Sequence, residues 1–254
     1  MRVLLAMALL AAPAAAQWVP VEPAALPLEP SVRAELERAV AAGAWPQAEA
    51  ILFRASQAAP QSTALLRALA GAHFQNERHF AAASAYLRAD RIEPLDGASR
   101  FALATSLIAL DRGHWARREL ERLAAQYPRN PLYPHWLAGV FQRMQWFDEA
   151  AAEARRAIAL DPGYAAAHDR LGQCLEALGR TDEALTAYES AERLAQAGGP
   201  PNAWPSYRRG ALLRQAGRFE EAAAPLGRAI AIDPDHAEAR YELGLVLGKL
   251  GDWS

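Results

Sequence analysis

Four prolines, Pro60, Pro94, Pro128 and Pro162, recur at a constant step of 34 (94−60, 128−94, 162−128). A fixed period of this length means one supersecondary unit stacked on copies of itself, because each unit carries an apolar face that only its neighbours can bury. The next step falls on Gln196, and Pro234 follows at a longer step of 38 (234−196). The extra length lies within 197–205, AGGPPNAWP, whose Gly and Pro cluster marks a loop insertion.

Counting back from each ruler position shows what repeats. Twelve residues upstream stand Ala48, Ala82, Ala116, Ala150, Ala184 and Ala222, without exception. Eight upstream stand Leu52, Tyr86, Leu120, Ala154, Tyr188 and Leu226, and five upstream Ala55, Ala89, Leu123, Ala157, Ala191 and Ala229. Offsets three and four apart share one helix face, so this is a small–large–small stripe on the second helix of each unit. The first helix has its own stripe. It reads Glu35-Leu36, Leu69-Ala70, Leu103-Ala104, Leu137-Ala138, Leu171-Gly172 and Arg209-Gly210, followed by Ala39, His73, Leu107, Phe141, Leu175 and Leu213. Between the helices Gly43, Gly113, Gly179 and Gly217 are placed to take the positive φ of a tight turn. Roughly a quarter of the residues are alanine, the strongest helix former, so the fold class is all-α.

In this period, in the Leu-Gly or Leu-Ala pairs, and in closing segments such as Leu160-Asp161-Pro162 and Ile232-Asp233-Pro234, the chain resembles the tetratricopeptide repeat (TPR) family over about residues 30–254. The resemblance implies a right-handed superhelical α-solenoid whose first helices line a concave groove for a peptide or protein. Positions at offsets 27, 23 and 20 before each ruler position lie away from the buried stripe. The groove residues expected on this stripe are Arg67, Phe74, Phe101, Ile108, His135, Gln142, Asp169, Gln173, Tyr207 and Arg214. The first four include an apolar zone, and His135 to Gln173 form a polar one. Lysine and asparagine, with which some members grip a peptide's terminal carboxylate, are missing from the stripe.

The N-terminus reads as an address. Residues 1–16 have Arg2, an apolar run from Val3 to Ala12 and the small end Ala14-Ala15-Ala16, the pattern of a cleavable export signal with cleavage after Ala16. The expected location is periplasmic or secreted, and the mature chain carries no transmembrane helix. Residues 17–30 hold four prolines in WVPVEPAALPLEP and are expected to be a linker; the array occupies 31–254 as six repeats and the first helix of a seventh.

A net charge of −2 gives no electrostatic footprint for nucleic acid. One cysteine, Cys174, and six scattered histidines match no metal motif, and no phosphate loop or nucleophile elbow appears, so neither a cofactor nor a metal nor an enzymatic activity is expected. Asp148-Glu149, Asp182-Glu183 and Glu220-Glu221 recur at one repeat position, which makes them helix-start charges. Trp45, Trp115, Trp146 and Trp253 lie near the turns, where stapling is expected. The expected function is an exported interaction scaffold. The alternatives are the adaptor region of a larger envelope enzyme or assembly component, and a polysaccharide-binding module using Trp204, Tyr207 and Tyr241. The apolar helix Tyr241–Leu250 and the stop at Asp252-Trp253-Ser254 favour a fragment of a longer protein, with a poor solenoid cap and a homodimer through the unfinished repeat as the other two readings.

Overall fold

The computed structural model describes residues 21–197 and 201–251. The proposed signal segment, the first part of the linker, the centre of the loop insertion and Trp253 lie outside them. Among the described residues there are thirteen α-helices and no strand. First helices are α1 (Pro30–Ala41), α3 (Thr63–Gln75), α5 (Gly97–Ala109), α7 (Leu132–Arg143), α9 (Ala165–Ala177), α11 (Trp204–Gln215) and α13 (Ala237–Leu250). Second helices are α2 (Trp45–Ala58), α4 (His79–Ile92), α6 (Gly113–Gln126), α8 (Phe147–Leu160), α10 (Thr181–Gln196) and α12 (Phe219–Ile232). The fold is an all-α solenoid of stacked helix pairs. It divides into two compact units, Met1–Pro128 and Arg129–Ser254, meeting in sequence at a ruler proline.

Within each unit a helix packs on its neighbours in sequence, and first helices also meet one another: α3 with α5, α7 with α9, α11 with α13. All six alanines twelve residues before the ruler are fully buried, as are all six residues of the large position. The small position of the first helix explains why. A methyl placed on Gly172 would lie 2.5 Å from Tyr188 Cε1, and one on Gly210 would lie 2.5 Å from Leu226 Cγ. The missing side chain in one helix is the seat for the large side chain in the next.

The turns repeat as strictly as the helices. The backbone N–H groups of Ala44, Arg78, Arg112, Trp146, Arg180 and Arg218 donate to the carbonyls of Ala39, His73, Leu107, Phe141, Leu175 and Leu213 at 2.8–2.9 Å. This is the six-to-one hydrogen bond of a Schellman motif, which needs a left-handed residue just past the helix end. That residue is Gly43 (φ 63°), Glu77 (56°), Asp111 (58°), Gln145 (61°), Gly179 (72°) and Gly217 (75°). Gly113, expected in this role, instead opens α6, and Asp111 takes the left-handed position two residues earlier. A polar residue carries a modest strain there that glycine avoids, about 1–2 kcal/mol.

Repeat one departs from the pattern, with physical consequences. Glu35 replaces the inward leucine and is exposed, while Leu36 fills the small position and is fully buried. Ala55 is consequently only half-buried, and a cavity of about 520 Å³ opens beside Val32, Glu35, Ile51, Ala55 and Leu65. Part of the stretch read as a linker or extended lead-in helps close this end. Val21 and Leu26 are buried against Leu36, Ala39 and Leu52, and Arg33 Nη2 donates to the carbonyls of Leu26 and Leu28 at 3.2 and 3.1 Å.

Candidate functional site

The ten residues expected to line a groove divide sharply. In the first unit Arg67 is engaged: its Nη2 donates to Glu93 Oε2 at 2.8 Å and its Nη1 to Asp96 Oδ2 at 3.0 Å. Phe74 is half-buried, edge-on to the His79 ring at 5.8 Å. Phe101 and Ile108 are 7% exposed, so these two do not line an open face. Every residue of α5 from Ser99 to Ile108 is buried, and a helix covered on all sides has no stripe left for a ligand. Even Arg100 is buried there, its Nη1 donating to Glu119 at 2.6 Å and its Nη2 to Asp90 at 3.0 Å.

In the second unit His135 is likewise buried, its ring 4.9 Å from that of Tyr164. Burial, with the Arg170 charge beside it, holds this imidazole well below its usual pKa range, so it is neutral. The others converge. Gln142 Nε2 donates to Gln173 Oε1 at 3.0 Å, and Gln173 Nε2 donates to Asp169 Oδ2 at 2.9 Å. Arg208 Nη1 reaches both Asp169 oxygens at 2.7 and 2.6 Å. One hydrogen-bonded chain therefore links α7, α9 and α11, with Gln142, Asp169, Gln173 and Arg208 all half-buried. Arg214 continues the series by pairing with Glu242 of α13, its Nη2 donating at 3.2 Å.

Two members were not visible as groove residues in the sequence. Arg170 Nη1 donates to Gln142 Oε1 at 3.0 Å, and its guanidinium lies over Gly139, where a methyl would come within 2.9 Å. Arg208 is the second. Both stand at offset 26 before a ruler position, where the array reads Ala34, Ala68, Ala102, Trp136, Arg170 and Arg208. The switch from alanine to large side chains after the third repeat was the available signal.

Beyond the polar chain lies an aromatic cluster. Trp204 meets Tyr207 edge-on at 5.7 Å, both rings lie 4.7 Å from His236, and the Arg208 guanidinium stands 5.3 Å from the Trp204 ring centre. Tyr241, on α13, is 68% exposed. The rings of the cluster pack on one another rather than forming an open flat platform. Arg208 and Arg214 are each matched by a carboxylate and Arg170 donates to the Gln142 amide, so the face offers hydrogen-bonding and aromatic groups together with one arginine whose hydrogen-bond partner is neutral.

Elsewhere the chemistry is structural. Cys174 is buried, and burial pushes its thiol up to about 11, away from thiolate reactivity. Trp146 stacks on Phe141 at 5.9 Å as a turn staple, whereas Trp115 is 60% exposed. Among the described residues no group of three or more His, Cys, Asp or Glu is placed to hold a metal ion. None of the described helices is long and apolar enough to cross a membrane.

Comparison with known proteins agrees with this architecture. A tetratricopeptide-repeat family model matches residues 146–200, and a TPR-repeat model matches 200–251. No curated protein sequence matches the chain. Among solved structures, MamA is 18% identical with a TM-score of 0.60, covering 64% of this chain and 95% of that one. YrrB, a TPR protein with an unusual peptide-binding site, is 19% identical with a TM-score of 0.58, covering 75% and 96%. The Thermus thermophilus TPR protein TTC0263 is 20% identical with a TM-score of 0.55, covering 73% and 99%. The family matches and these neighbours support the TPR repeat family, whose scaffolds typically serve protein–protein interaction, and the neighbours show the solenoid fold.

Proposed function

We propose that this tetratricopeptide-repeat chain is a non-enzymatic, exported scaffold that holds a peptide or protein segment along the first helices of its second unit. One observation carries the reading: the hydrogen-bonded chain Gln142–Gln173–Asp169–Arg208 fixes partly exposed side chains from three consecutive first helices. Polar groups already held in place lose little freedom when a ligand arrives, which lowers the cost of binding. Next to them Tyr207, Tyr241 and Arg214 are of the residue types that dominate binding energy at protein interfaces. Helices packed about 8–10 Å apart give four first helices a span of roughly 30 Å, which an extended peptide of about nine residues covers. The groups facing it suit a neutral or mixed-charge segment bound by amides and aromatic contacts.

The test is a random peptide library displayed on phage, panned on the chain from residue 17. Enriched peptides are expected to lose at least tenfold in affinity against a Gln173→Ala, Tyr207→Ala double variant with an unchanged circular dichroism spectrum. Peptides that bind both forms equally, or a library that yields no specific binder, would overturn the proposal. Export is tested separately by the N-terminal sequence of protein recovered from a periplasmic fraction, expected to begin at Gln17.

A further inference from the structure

Within the polar chain, Arg170 differs from the other arginines in what it touches. Arg208 and Arg214 each meet a carboxylate, Asp169 and Glu242 respectively. Arg170 has a single hydrogen-bond partner among the described residues, the amide oxygen of Gln142, which takes its Nη1. Its Nε is buried without a partner, and its Nη2, also without one, is accessible. Burial lowers the pKa of this guanidinium, as it does for a cation held out of water with too little counter-charge. Leaving a charged donor unbonded in such a place costs more than leaving a neutral one, so the free edge favours an incoming acceptor.

The guanidinium is held in the groove rather than extended into water. Gly139, a position of the groove stripe on α7, leaves the room it occupies: a methyl there would lie 2.9 Å from Nη1 and 3.1 Å from Cζ. Arg170 therefore crosses from α9 to α7 along the face where a ligand would lie. The charges around it are committed elsewhere. Asp169 accepts from Arg208 through both oxygens and from Gln173, and Glu176 accepts from the Tyr188 hydroxyl at 2.6 Å. His135, on α7, is neutral.

We propose that the segment held along these helices carries an aspartate or glutamate whose side-chain carboxylate binds Nη2 of Arg170. This rests on the groove reading and sharpens it, adding one acidic side chain at a fixed place in an otherwise neutral segment. A carboxylate is the fitting acceptor because a charge-assisted bond to guanidinium is roughly twice as strong as a bond between neutral groups. A peptide's terminal carboxylate is the poorer source, since the stripe holds no lysine or asparagine to grip it beside the arginine.

The experiment takes peptides selected from a phage library on the full chain and synthesises them with amidated C-termini, so that no terminal carboxylate is available. They are expected to share an aspartate or glutamate at one register, and its change to asparagine or glutamine is expected to weaken binding at least tenfold by calorimetry. Against Arg170→Gln the same change should cost less than twofold. If Arg170→Gln melts early, Arg170→Lys carries the comparison; it keeps the charge but not the planar fork, and the cost should fall to a few-fold. Groove peptides, recognised by their loss of affinity for the Gln173→Ala, Tyr207→Ala variant, that share no acidic position would overturn this inference and leave the groove reading standing. So would an asparagine form that binds as tightly as the acidic one, or an undiminished tenfold cost against both Arg170 variants. A library that yields no groove peptide overturns both.

Discussion

Replacing glycine by alanine at three equivalent positions separates the repeat's packing from helix propensity. Gly172, Gly210 and Gly244 all lie inside first helices, where alanine is intrinsically favoured by about 0.5–1 kcal/mol. Among the described residues nothing lies within 4 Å of a methyl on Gly244, so Gly244→Ala should stabilise the chain by about that amount. At Gly172 the new methyl would lie 2.5 Å from Tyr188 Cε1 and 2.6 Å from Cδ1, well inside contact distance. The ring cannot swing aside, because Tyr188 is fully buried and its hydroxyl donates to Glu176 Oε2 at 2.6 Å. Forcing a methyl into such a core costs about 1–3 kcal/mol, which outweighs the propensity gain or cancels it. Gly210→Ala meets Leu226 Cγ at 2.5 Å and the Ala222 carbonyl at 3.2 Å, and the backbone contact leaves still less room. At about 2–4 °C per kcal/mol for a chain of this size, Gly244→Ala and Gly172→Ala should differ by the packing cost alone, roughly 2–12 °C. Thermal melts by far-UV circular dichroism measure this directly. Equal destabilisation by all three substitutions, or a stabilising Gly172→Ala, would refute the seat-and-filler reasoning.

Other expectations follow from the same features. Glu35→Leu restores the inward leucine of repeat one beside its cavity of about 520 Å³ and should raise stability by about 1–2 kcal/mol in urea unfolding. Gln145→Gly relieves a left-handed φ of 61° and should raise the melting temperature, whereas Gly179→Gln, at 72°, should lower it by a similar step. Glu192 is buried; burial alone would raise its pKa, but hydrogen bonds from Arg228, Ser206 and Arg209 outweigh this and hold it below the ordinary 4.5. Its contribution is therefore present above about pH 4.5 and drains away as pH falls through the depressed native value. Urea midpoints measured across the acid range up to neutrality should accordingly show a flatter acid limb for Glu192→Gln.

How much the sequence revealed depended on whether a constraint was periodic. The alanines twelve residues before the ruler were legible because two helices cannot approach with anything larger there, and all six are fully buried. The turns were half legible. Glycine marks the left-handed residue at Gly43, Gly179 and Gly217, but Glu77, Asp111 and Gln145 bear no such mark and are found only by adding the repeat period to a known position. That arithmetic would have excluded Gly113.

The candidate site was less legible, for a physical reason. Helical spacing says which residues share a face, not whether another element covers that face. It therefore grouped Phe101, Ile108 and His135 with the open residues although all three are buried. It also passed over Arg170 and Arg208, which leave the stripe by one residue yet reach back to Gln142 and Asp169 because arginine is long.

The central claim is that ligands meet the first helices of the second unit while the second helices stay structural. Hydrogen–deuterium exchange of the chain, with and without a display-selected peptide, tests it most directly. The account predicts slowed exchange in α7, α9 and α11 with α8, α10 and α12 unchanged. Protection confined to the second helices or to the turns would contradict it.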